Sequence, residues 1–308
     1  MTGSDIYVMR KHILSTDGIH LITGLAVIPK GKIRGILQIS HGMTEYIERY
    51  RPFMEEIARE GFLVCGHDHL GHGGSVMRES EYGFFGRKDG WKHLVNDTIL
   101  FARSIRKQFG DDLPCTLMGH SMGSFIARLA MTEYDGYDKL IIMGTGGAYH
   151  LVREGCLAIS LLRFLYGEHG KEKLIEKLVF GAYNSHFEGK SRYTWLSTDP
   201  AFAADFENDP LTQFRFSASG MKDLLTLSRE ANSKRCFEKS DTTKPILLLS
   251  GEEDPVGEYG RGVKRVYRAL VHQGCRVNMI LYPGCRHEIL HDSCRQRVIE
   301  TIEAFLSA

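Results

Sequence analysis

The 308-residue chain is 43% hydrophobic and 25% charged, and its 39 basic and 38 acidic side chains leave a formal net charge of +1. This composition excludes an intrinsically disordered chain, and the near-neutral charge gives no basic footprint for nucleic acid. The longest nearly apolar run, residues 157–166, is too short for a membrane span, which needs about 20 residues.

Two β-branched stretches, residues 6–14 and 21–28, open the chain and are joined at Asp17-Gly18, which is typical of a hairpin. Short buried strands then alternate with amphipathic helices. Further strands are predicted near 35–40, 62–65, 115–118, 140–143, 245–249 and 277–282, and helices near 52–60, 91–109, 122–130, 261–273 and around Val298 and Ile302. This alternation predicts an α/β fold with about eight strands in a mostly parallel sheet and helices on both faces.

The alternation stops between residues 147 and 222, a part of the chain that is mainly helical in propensity. It holds 12 of the 31 aromatic residues. We predict that residues 1–146 and 223–308 form the core and that 147–222 form a helical cap. Two uses of its aromatic side chains stay open at this point, a small core of its own and an apolar substrate pocket, and both can hold at once.

Gly119-His-Ser-Met-Gly123 lies between a predicted strand and a predicted helix. A strand–turn–helix in which glycines flank a serine is typical of a nucleophile elbow. The two glycines remove the Cβ atoms that would clash in so sharp a turn, and Ser121 is presented at a helix N-terminus, where negative charge is favoured. Ser121 is therefore the predicted nucleophile.

A serine nucleophile needs a base, and the base needs an orienting acid. Asp254 follows the predicted strand 245–249, and His287 follows the strand 277–282, so both fall at carboxyl ends of strands. Glu252 and Glu253 compete with Asp254, but Pro255 fixes the turn after Asp254 and the glutamates fit a solvated face better. His291 competes with His287, but it is expected to begin the last helix and to be solvated.

An oxyanion hole needs two backbone N–H donors. The residue after the nucleophile, Met122, supplies one, and the loop after the strand 35–40 supplies the other. Met43 is the candidate there, because Gly42 lets the backbone turn its amide inward.

Two histidine patterns suggest metals. His287-Glu-Ile-Leu-His291 matches H-E-x-x-H, but it follows a Pro-Gly turn and lacks a histidine at position 297 for an extended zinc motif. His67-Asp-His-Leu-Gly-His72 is similar to the H-x-H-x-D-H ligand set of metallohydrolases, but Gly71 stands where that set has its aspartate. A structural loop is favoured, in which Asp68 and the histidines bond to the backbone and Gly71, Gly73 and Gly74 turn the chain. We predict neither a metal nor a cofactor.

The pentapeptide 119–123, His41-Gly42, Arg49-Tyr50 and the segment 67–75 resemble the monoacylglycerol lipase and lysophospholipase group, which is serine aminopeptidase-like, of the α/β-hydrolase superfamily. The resemblance covers most of the chain outside the cap. It implies a serine esterase acting on monoacyl lipids, with Ser121, Asp254 and His287 as its triad. Thr44-Glu-Tyr46 stands where the group usually has Gly-Glu-His.

We therefore predict hydrolysis of carboxylic esters that carry an acyl chain, through an acyl-enzyme on Ser121. Three alternatives stay open: a small-ester carboxylesterase, a proline-iminopeptidase-like peptidase that uses an acidic cap residue, and a non-catalytic ligand-binding protein. The start of the chain lacks a signal-peptide pattern, and its seven cysteines show no CxxC pairing, so a cytoplasmic location is expected. The run 157–166 allows transient contact with a membrane surface, although buried packing is favoured.

Overall fold

The structure, a computed structural model, describes residues 5–147, 152–168, 172–189 and 191–308. The strands are β1 (Ile6–Leu14), β2 (Leu21–Pro29), β3 (Gly35–Ser40), β4 (Phe62–His67), β5 (Cys115–His120), β6 (Lys139–Met143), β7 (Ile246–Gly251) and β8 (Val277–Tyr282). In the described chain they form one eight-stranded sheet in the order β1-β2-β4-β3-β5-β6-β7-β8. The predicted α/β class and strand number are confirmed.

The pairing explains why the sequence patterns differ along the chain. β1 and β2 form an antiparallel hairpin, and β2 is antiparallel to β4. All the pairs from β4 across to β8 are parallel. β3, β4, β5 and β7 are buried along their whole length, as strands covered on both faces must be, and they read as short continuous apolar runs.

The helices are α1 (Arg51–Arg59), α2 (Gly90–Phe109), α3 (Met122–Glu133), α4 (Val152–Tyr166), α5 (Glu172–Phe180), α6 (Pro200–Asn208), α7 (Ala218–Ala231), α8 (Lys234–Glu238), α9 (Arg261–His272) and α10 (Arg295–Ser307). One face of the sheet is covered by α1 and α10, which bury Ile57 and Ile302. The other face carries α2, α3 and α9, with Leu94, Ile126 and Val266 in a second apolar cluster. The central strands are thus covered on both faces, whereas the edge strands β1 and β8 stay partly exposed.

We call residues 147–222 the insert. Its described helices lie between β6 and β7, and residue 222 falls within α7, which packs against α3 as well as α4. Residues 148–151, 169–171 and 190 of the predicted cap lie outside the described residues. A small cluster of its own, formed by Leu196, Phe202 and Phe206, provides the local core that the aromatic content suggested.

Two helices of the insert, α4 and α5, carry a large exposed apolar surface, and we call them the outer helices. Cys156 and Ile159 of α4 and Ile175 of α5 are buried. Leu162, Val179 and Phe180 are half-buried against the core, whereas other large apolar side chains of these helices are exposed, Phe164 to 85% and Leu157 and Leu178 to 67% each. The prediction of buried packing for the run 157–166 therefore holds for one side of α4. Across the described residues, none of the helices has the length and apolar character to cross a membrane.

Candidate active site

Ser121 lies in the sharp turn between β5 and α3 with a strained backbone, at φ 52° and ψ −119°. The flanking glycines make this turn possible. A Cβ on Gly119 would meet the carbonyl oxygen of Gly123 at 2.2 Å, and one on Gly123 would meet the carbonyl oxygen of Ser40 at 2.0 Å. The Ser121 N–H donates to the Met143 carbonyl oxygen over 2.9 Å, which anchors the turn to the neighbouring strand. Backbone strain that the surroundings hold in place is typical of functional sites.

Asp254 and His287 meet at the carboxyl edge of the sheet. The Nδ1 atom of His287 lies 2.9 Å from Oδ2 of Asp254, and both side chains are buried. The other carboxylate oxygen of Asp254 accepts the Val256 N–H at 2.8 Å, so the turn directly after Asp254 fixes its orientation. Glu252 and Glu253 are exposed, as expected for a solvated face.

His287 stands on an irregular loop after β8. His291 is in a 3₁₀ turn, so the two histidines do not share a helix face. The prediction that His291 is solvated and begins the last helix is wrong. Its ring stacks on Phe202 with centroids 4.6 Å apart, and α10 begins at Arg295. Phe202 of the insert covers one face of the His291 ring and leaves this side chain half-buried. The residues adjacent to His291 in the sequence do not indicate this contact.

The loop after β3, residues 41–45, faces the nucleophile. We call it the oxyanion loop. A Cβ on Gly42 would meet Ser121 Cβ at 3.1 Å, so glycine permits this close approach. Thr44 has a left-handed backbone with φ 52°, which is a strained conformation for a β-branched residue. Met43 and Met122 both line the same cavity as Ser121, and Met122 is the first residue of α3, where helical N–H groups lack intrahelical partners.

The histidine-rich segment 67–72 is a buried structural loop. Asp68 accepts hydrogen bonds from the N–H groups of Ile47 at 2.7 Å and Gly74 at 2.7 Å. Burial lowers the pKa values of His67, His69 and His72, which keeps all three neutral. These contacts agree with the favoured interpretation for Asp68, and Nδ1 of His72 faces the Leu70 carbonyl oxygen at 3.2 Å. The expectation that the histidine side chains bond to the backbone is wrong for His67, whose two ring nitrogens are buried without a hydrogen-bond partner among the described residues, and for His69, whose Nε2 atom faces the Ser40 hydroxyl.

A buried polar cluster surrounds His120, the residue before Ser121, and the sequence patterns did not predict it. Nδ1 of His120 is 3.3 Å from Oε1 of Glu45 and 3.8 Å from Oε1 of Glu288. The Tyr50 O–H donates to the same Glu45 oxygen at 2.9 Å. Burial alone would lower the pKa of His120, but the carboxylates of Glu288 and Glu45 raise it to about 9. Burial would raise the pKa of Glu45, and the hydrogen bond and charge of His120 hold it well below the usual value.

Within the described residues, Glu45, His120 and Glu288 are the group whose ligand-type atoms lie close enough together for a metal. Their own contacts give another explanation. Two buried carboxylates need a positive charge close by, and the protonated His120 between Glu45 and Glu288 supplies it without a metal ion. We therefore interpret the cluster as an internal ion pair.

Ser121 and His287 both line a cavity of about 440 Å³ between the sheet and the insert. Its wall is mainly apolar and includes Phe180, Tyr183, Tyr193, Trp195, Phe214 and Phe216. These aromatic residues belong to the insert. The insert thus supplies both a small core of its own and the wall of a pocket, which are the two uses that its composition left open.

Most of the described acidic residues of the insert do not line this cavity. Glu168 pairs with Arg163, Asp199 caps α6, and Asp209 accepts from Tyr46. Among the described lining residues, the insert contributes one acid, Glu176, whose carboxylate is 2.6 Å from Arg215. Lys173, Lys177 and Arg192 also line the cavity.

Residues 191–212 tie the insert to the loop that carries His287 and to the turn that follows residues 41–45, and we call them the anchored segment. The Glu288 N–H donates to the Leu196 carbonyl oxygen at 2.7 Å, next to His287. Arg286 donates to the Thr194 and Ser197 carbonyl oxygens at 2.7 and 3.0 Å. On the other side, the Tyr46 O–H donates to Asp209 at 2.9 Å, and the Arg49 guanidinium lies 4.8 Å from the ring centre of Phe206.

A parallel sheet with a serine elbow, an Asp–His pair at its carboxyl edge and an overlying helical insert is the architecture of an α/β hydrolase. Residues 31–294 match the family model described as serine aminopeptidase, S33. The chain belongs to this family.

Individual relatives make the class more specific. The chain is 31% identical over 256 residues to a monoglyceride lipase from Mus musculus, with 79% of this chain and 72% of the relative covered. It is 24% identical over 284 residues to a monoacylglycerol lipase from Mycolicibacterium smegmatis, with 89% and 88% covered. A solved carboxyl esterase from Bacillus coagulans superposes with a TM-score of 0.90 at 30% identity, covering 97% of this chain and 98% of that one. The protein is a carboxylic ester hydrolase of the monoglyceride lipase-like group.

Proposed function

We propose that this enzyme hydrolyses esters of monoacyl lipids through an acyl-enzyme on Ser121. The observation that carries the proposal is that Ser121 and His287 line one apolar cavity and that His287 is paired with Asp254 behind it. The Ser121 hydroxyl attacks the ester carbonyl while Nε2 of His287 takes its proton. Asp254 holds the ring with Nδ1–H directed at its carboxylate and stabilises the imidazolium that forms.

The backbone N–H groups of Met43 and Met122 bind the oxyanion of the tetrahedral intermediate in this proposal. Its collapse breaks the ester bond, and His287 gives the proton to the departing alcohol. Water then attacks the acyl-enzyme, with His287 again as base, and releases the carboxylic acid. Every step uses a side chain or a backbone amide, so the mechanism needs no cofactor and no metal.

A monoacyl lipid fits the cavity because its wall is apolar on the side of the insert. Burial of an acyl chain contributes about 0.8 kcal/mol per CH₂ group, so an apolar wall favours longer chains. The monoglyceride lipase and lysophospholipase relatives support the same substrate class. Which alcohol is released depends on the polar end of the cavity, near Lys173, Lys177 and Arg192.

An aminopeptidase activity fits the site less well. A free substrate amine needs an unpaired carboxylate near the nucleophile. The lining acids Glu45 and Glu288 lie against His120, and Glu176 pairs with Arg215. The cations at the cavity wall would repel an ammonium group. The surroundings of Ser121 therefore favour esters.

We further propose that the outer helices touch a lipid surface. Phe164 and Leu161 of α4 are 85% and 58% exposed, and Leu178 of α5, a helix that also lines the cavity, is 67% exposed. Exposed apolar side chains beside lysines suit an interface with anionic lipids. We also propose a reducing cytoplasmic location, because all seven cysteines are free and buried.

The mechanism is tested by labelling with a fluorophosphonate probe and by hydrolysis of esters of increasing chain length. We expect wild type to label and Ser121→Ala to lose both labelling and about 10⁶-fold of kcat. Chelators should leave the rate unchanged. The ratio kcat/KM should rise from acetyl to octanoyl esters.

Ser124→Ala is the matched control, because it removes a neighbouring buried hydroxyl that bonds Ser121 O at 2.6 Å and leaves the nucleophile in place. This variant should still label. Labelling that persists in Ser121→Ala, or a folded wild type that never labels, would contradict the mechanism. Equal rates for all chain lengths would contradict the acyl pocket.

A further inference from the structure

The histidine next to the nucleophile, His120, bridges the two loops that the chemistry needs. Its Nδ1 atom faces Glu45 of the oxyanion loop at 3.3 Å, and its Nε2 atom faces the backbone carbonyl oxygen of His287 at 3.3 Å. The His120 and His287 rings are 4.8 Å apart between centroids. One side chain therefore contacts both the oxyanion loop and the loop of the base.

The groups that face the two ring nitrogens of His120 determine how many protons the ring carries. The atoms facing Nδ1 are acceptors: the Glu45 carboxylate, and the Tyr50 oxygen at 3.2 Å, whose own hydrogen is donated to Glu45. The atom facing Nε2 is a carbonyl oxygen, which only accepts. A neutral imidazole donates from one nitrogen only. Both contacts are satisfied together only when both ring nitrogens carry a proton.

The Glu45 carboxylate connects His120 to the backbone of the oxyanion loop. Its Oε1 atom accepts the Gly42 N–H and the Tyr50 O–H in addition to facing His120. These contacts close the loop around Thr44, whose left-handed backbone at φ 52° needs surrounding contacts to persist. Met43, the proposed oxyanion donor, lies between Gly42 and Thr44, so its amide direction depends on this closure.

We propose that His120 is a positioning residue, doubly protonated in the active enzyme, that holds the oxyanion loop and the His287 loop in register. This role rests on the proposed acyl-enzyme mechanism. The charged and titratable groups facing His120 are Glu45 from the oxyanion loop, Tyr50 from the 3₁₀ turn before α1, and Glu288 and His287 from the loop after β8. His41 adds a weaker like-charge contribution.

The sign of the pH effect follows from these neighbours. The pKa of His120 is raised to about 9 by Glu288 and Glu45 against the opposing effect of burial. The positioning contacts are therefore complete below that pH and are lost as the pH rises through it. An alkaline limb near pH 9 is expected in kcat.

The test compares pH profiles of kcat and KM on a short soluble ester for wild type, His120→Gln and Glu288→Gln. We expect His120→Gln to lower kcat about 10- to 100-fold with little change in KM and to lack the alkaline limb. Glu288→Gln removes one carboxylate and should move the limb to lower pH. His272→Gln, which changes an exposed histidine at the end of α9, should keep the wild-type profile.

Nitrogen NMR of the wild-type protein with ¹⁵N-labelled histidine tests the protonation state independently of any variant that fails to fold. The resonances missing from folded His120→Gln assign this ring, and otherwise Glu288→Gln identifies it by its shifted titration. At pH 7.5 both ring nitrogens should carry protons. An unprotonated nitrogen, an alkaline limb that persists in His120→Gln, or a kcat within twofold of wild type would overturn the proposal. Absence of fluorophosphonate labelling in wild type would instead reject the acyl-enzyme mechanism.

Discussion

The two halves of the insert meet the rest of the molecule in opposite ways. The anchored segment, residues 191–212, is bonded to the loop that carries His287 and to Tyr46 and Arg49, which follow the oxyanion loop. Asp292 alone accepts the N–H groups of Thr198 and Arg286 at 3.2 and 2.9 Å. The outer helices instead rest on α7 mainly through apolar side chains and expose many others. Their polar contacts are few among the described residues, with Arg163 donating to the Arg87 carbonyl oxygen and Glu176 accepting from Arg215.

This difference separates two tasks. Hydrogen bonds are directional and fix the position of a loop to within a fraction of an ångström, which catalysis requires. Apolar contacts are non-directional, so a helix held by them can change its neighbours at small cost. The anchored segment is thus suited to positioning, and the outer helices are suited to contact with acyl chains and lipid.

The largest effect is expected from breaking the anchored segment with Asp292→Ala. The carboxylate is buried and also accepts the Ser293 N–H at 2.7 Å, so its removal leaves several buried donors unpaired. We expect a loss of about 3 kcal/mol in the free energy of unfolding and about a 100-fold fall in kcat. Urea denaturation and ester hydrolysis measure the two quantities.

Asp199→Ala is the control for this prediction, since Asp199 caps α6 within the anchored segment but does not join it to the His287 loop. Loss of a helix cap costs about 1 kcal/mol and should leave kcat nearly unchanged. Similar values of kcat for Asp292→Ala and Asp199→Ala would contradict a positioning role for the contacts of Asp292.

A smaller effect is expected at the outer helices, from the double variant Leu161→Glu with Phe164→Glu. Both side chains are more than half exposed, so the fold should not change. Hydrolysis of a soluble short ester should stay the same, whereas hydrolysis of a long-chain monoacylglycerol in anionic vesicles should fall about tenfold because interfacial burial is lost. Vesicle co-sedimentation should weaken in parallel.

Ile19→Glu is matched to that variant, because Ile19 is 66% exposed in the turn between β1 and β2. It should bind vesicles and hydrolyse vesicle-bound substrate like wild type. An equal loss in Ile19→Glu would show that added negative charge, rather than the outer helices, causes the effect.

The smallest effect concerns Asp223 on α7, the helix that supports α4. Burial raises the pKa of Asp223 to about 7, although the Trp91 N–H opposes the shift. Because the ordinary pKa is 3.8, folding favours the protonated carboxyl, and stability falls as the pH rises from about 4 to about 7. Asp223→Asn should match wild type at about pH 3.5 and have a Tm about 2–4 °C higher at pH 8. A constant difference across this range would contradict the assignment.

The strands and helices could be predicted because each is marked by a pattern of neighbouring residues in the sequence. Short apolar runs such as residues 115–118 alternate with helices of clear periodicity, and glycines mark the turns. The order of Ser121, Asp254 and His287 follows from the positions of the strands that precede them. In the structure, Asp254 and His287 are in contact, and Ser121 and His287 line the same cavity.

The cluster around His120 could not be predicted because it depends on contacts between distant parts of the chain. Glu45, His120 and Glu288 follow three different strands, and nothing in their immediate neighbours signals that the side chains converge. His120 was visible only as a spacer inside the serine motif. The environment of His291 was misjudged for the same reason, since Phe202 of the insert covers it.

The tight contact at Gly123 has a consequence for how this molecule can diversify. Because a methyl group there would meet the Ser40 and His41 carbonyl oxygens at 2.0 and 2.5 Å, the nucleophile turn and the oxyanion loop form one rigid block. A change in this block alters the reaction itself. The outer helices lie outside the block and share no such contact with it among the described residues. They can therefore be exchanged or redesigned to accept new acyl groups while the reaction chemistry is inherited intact.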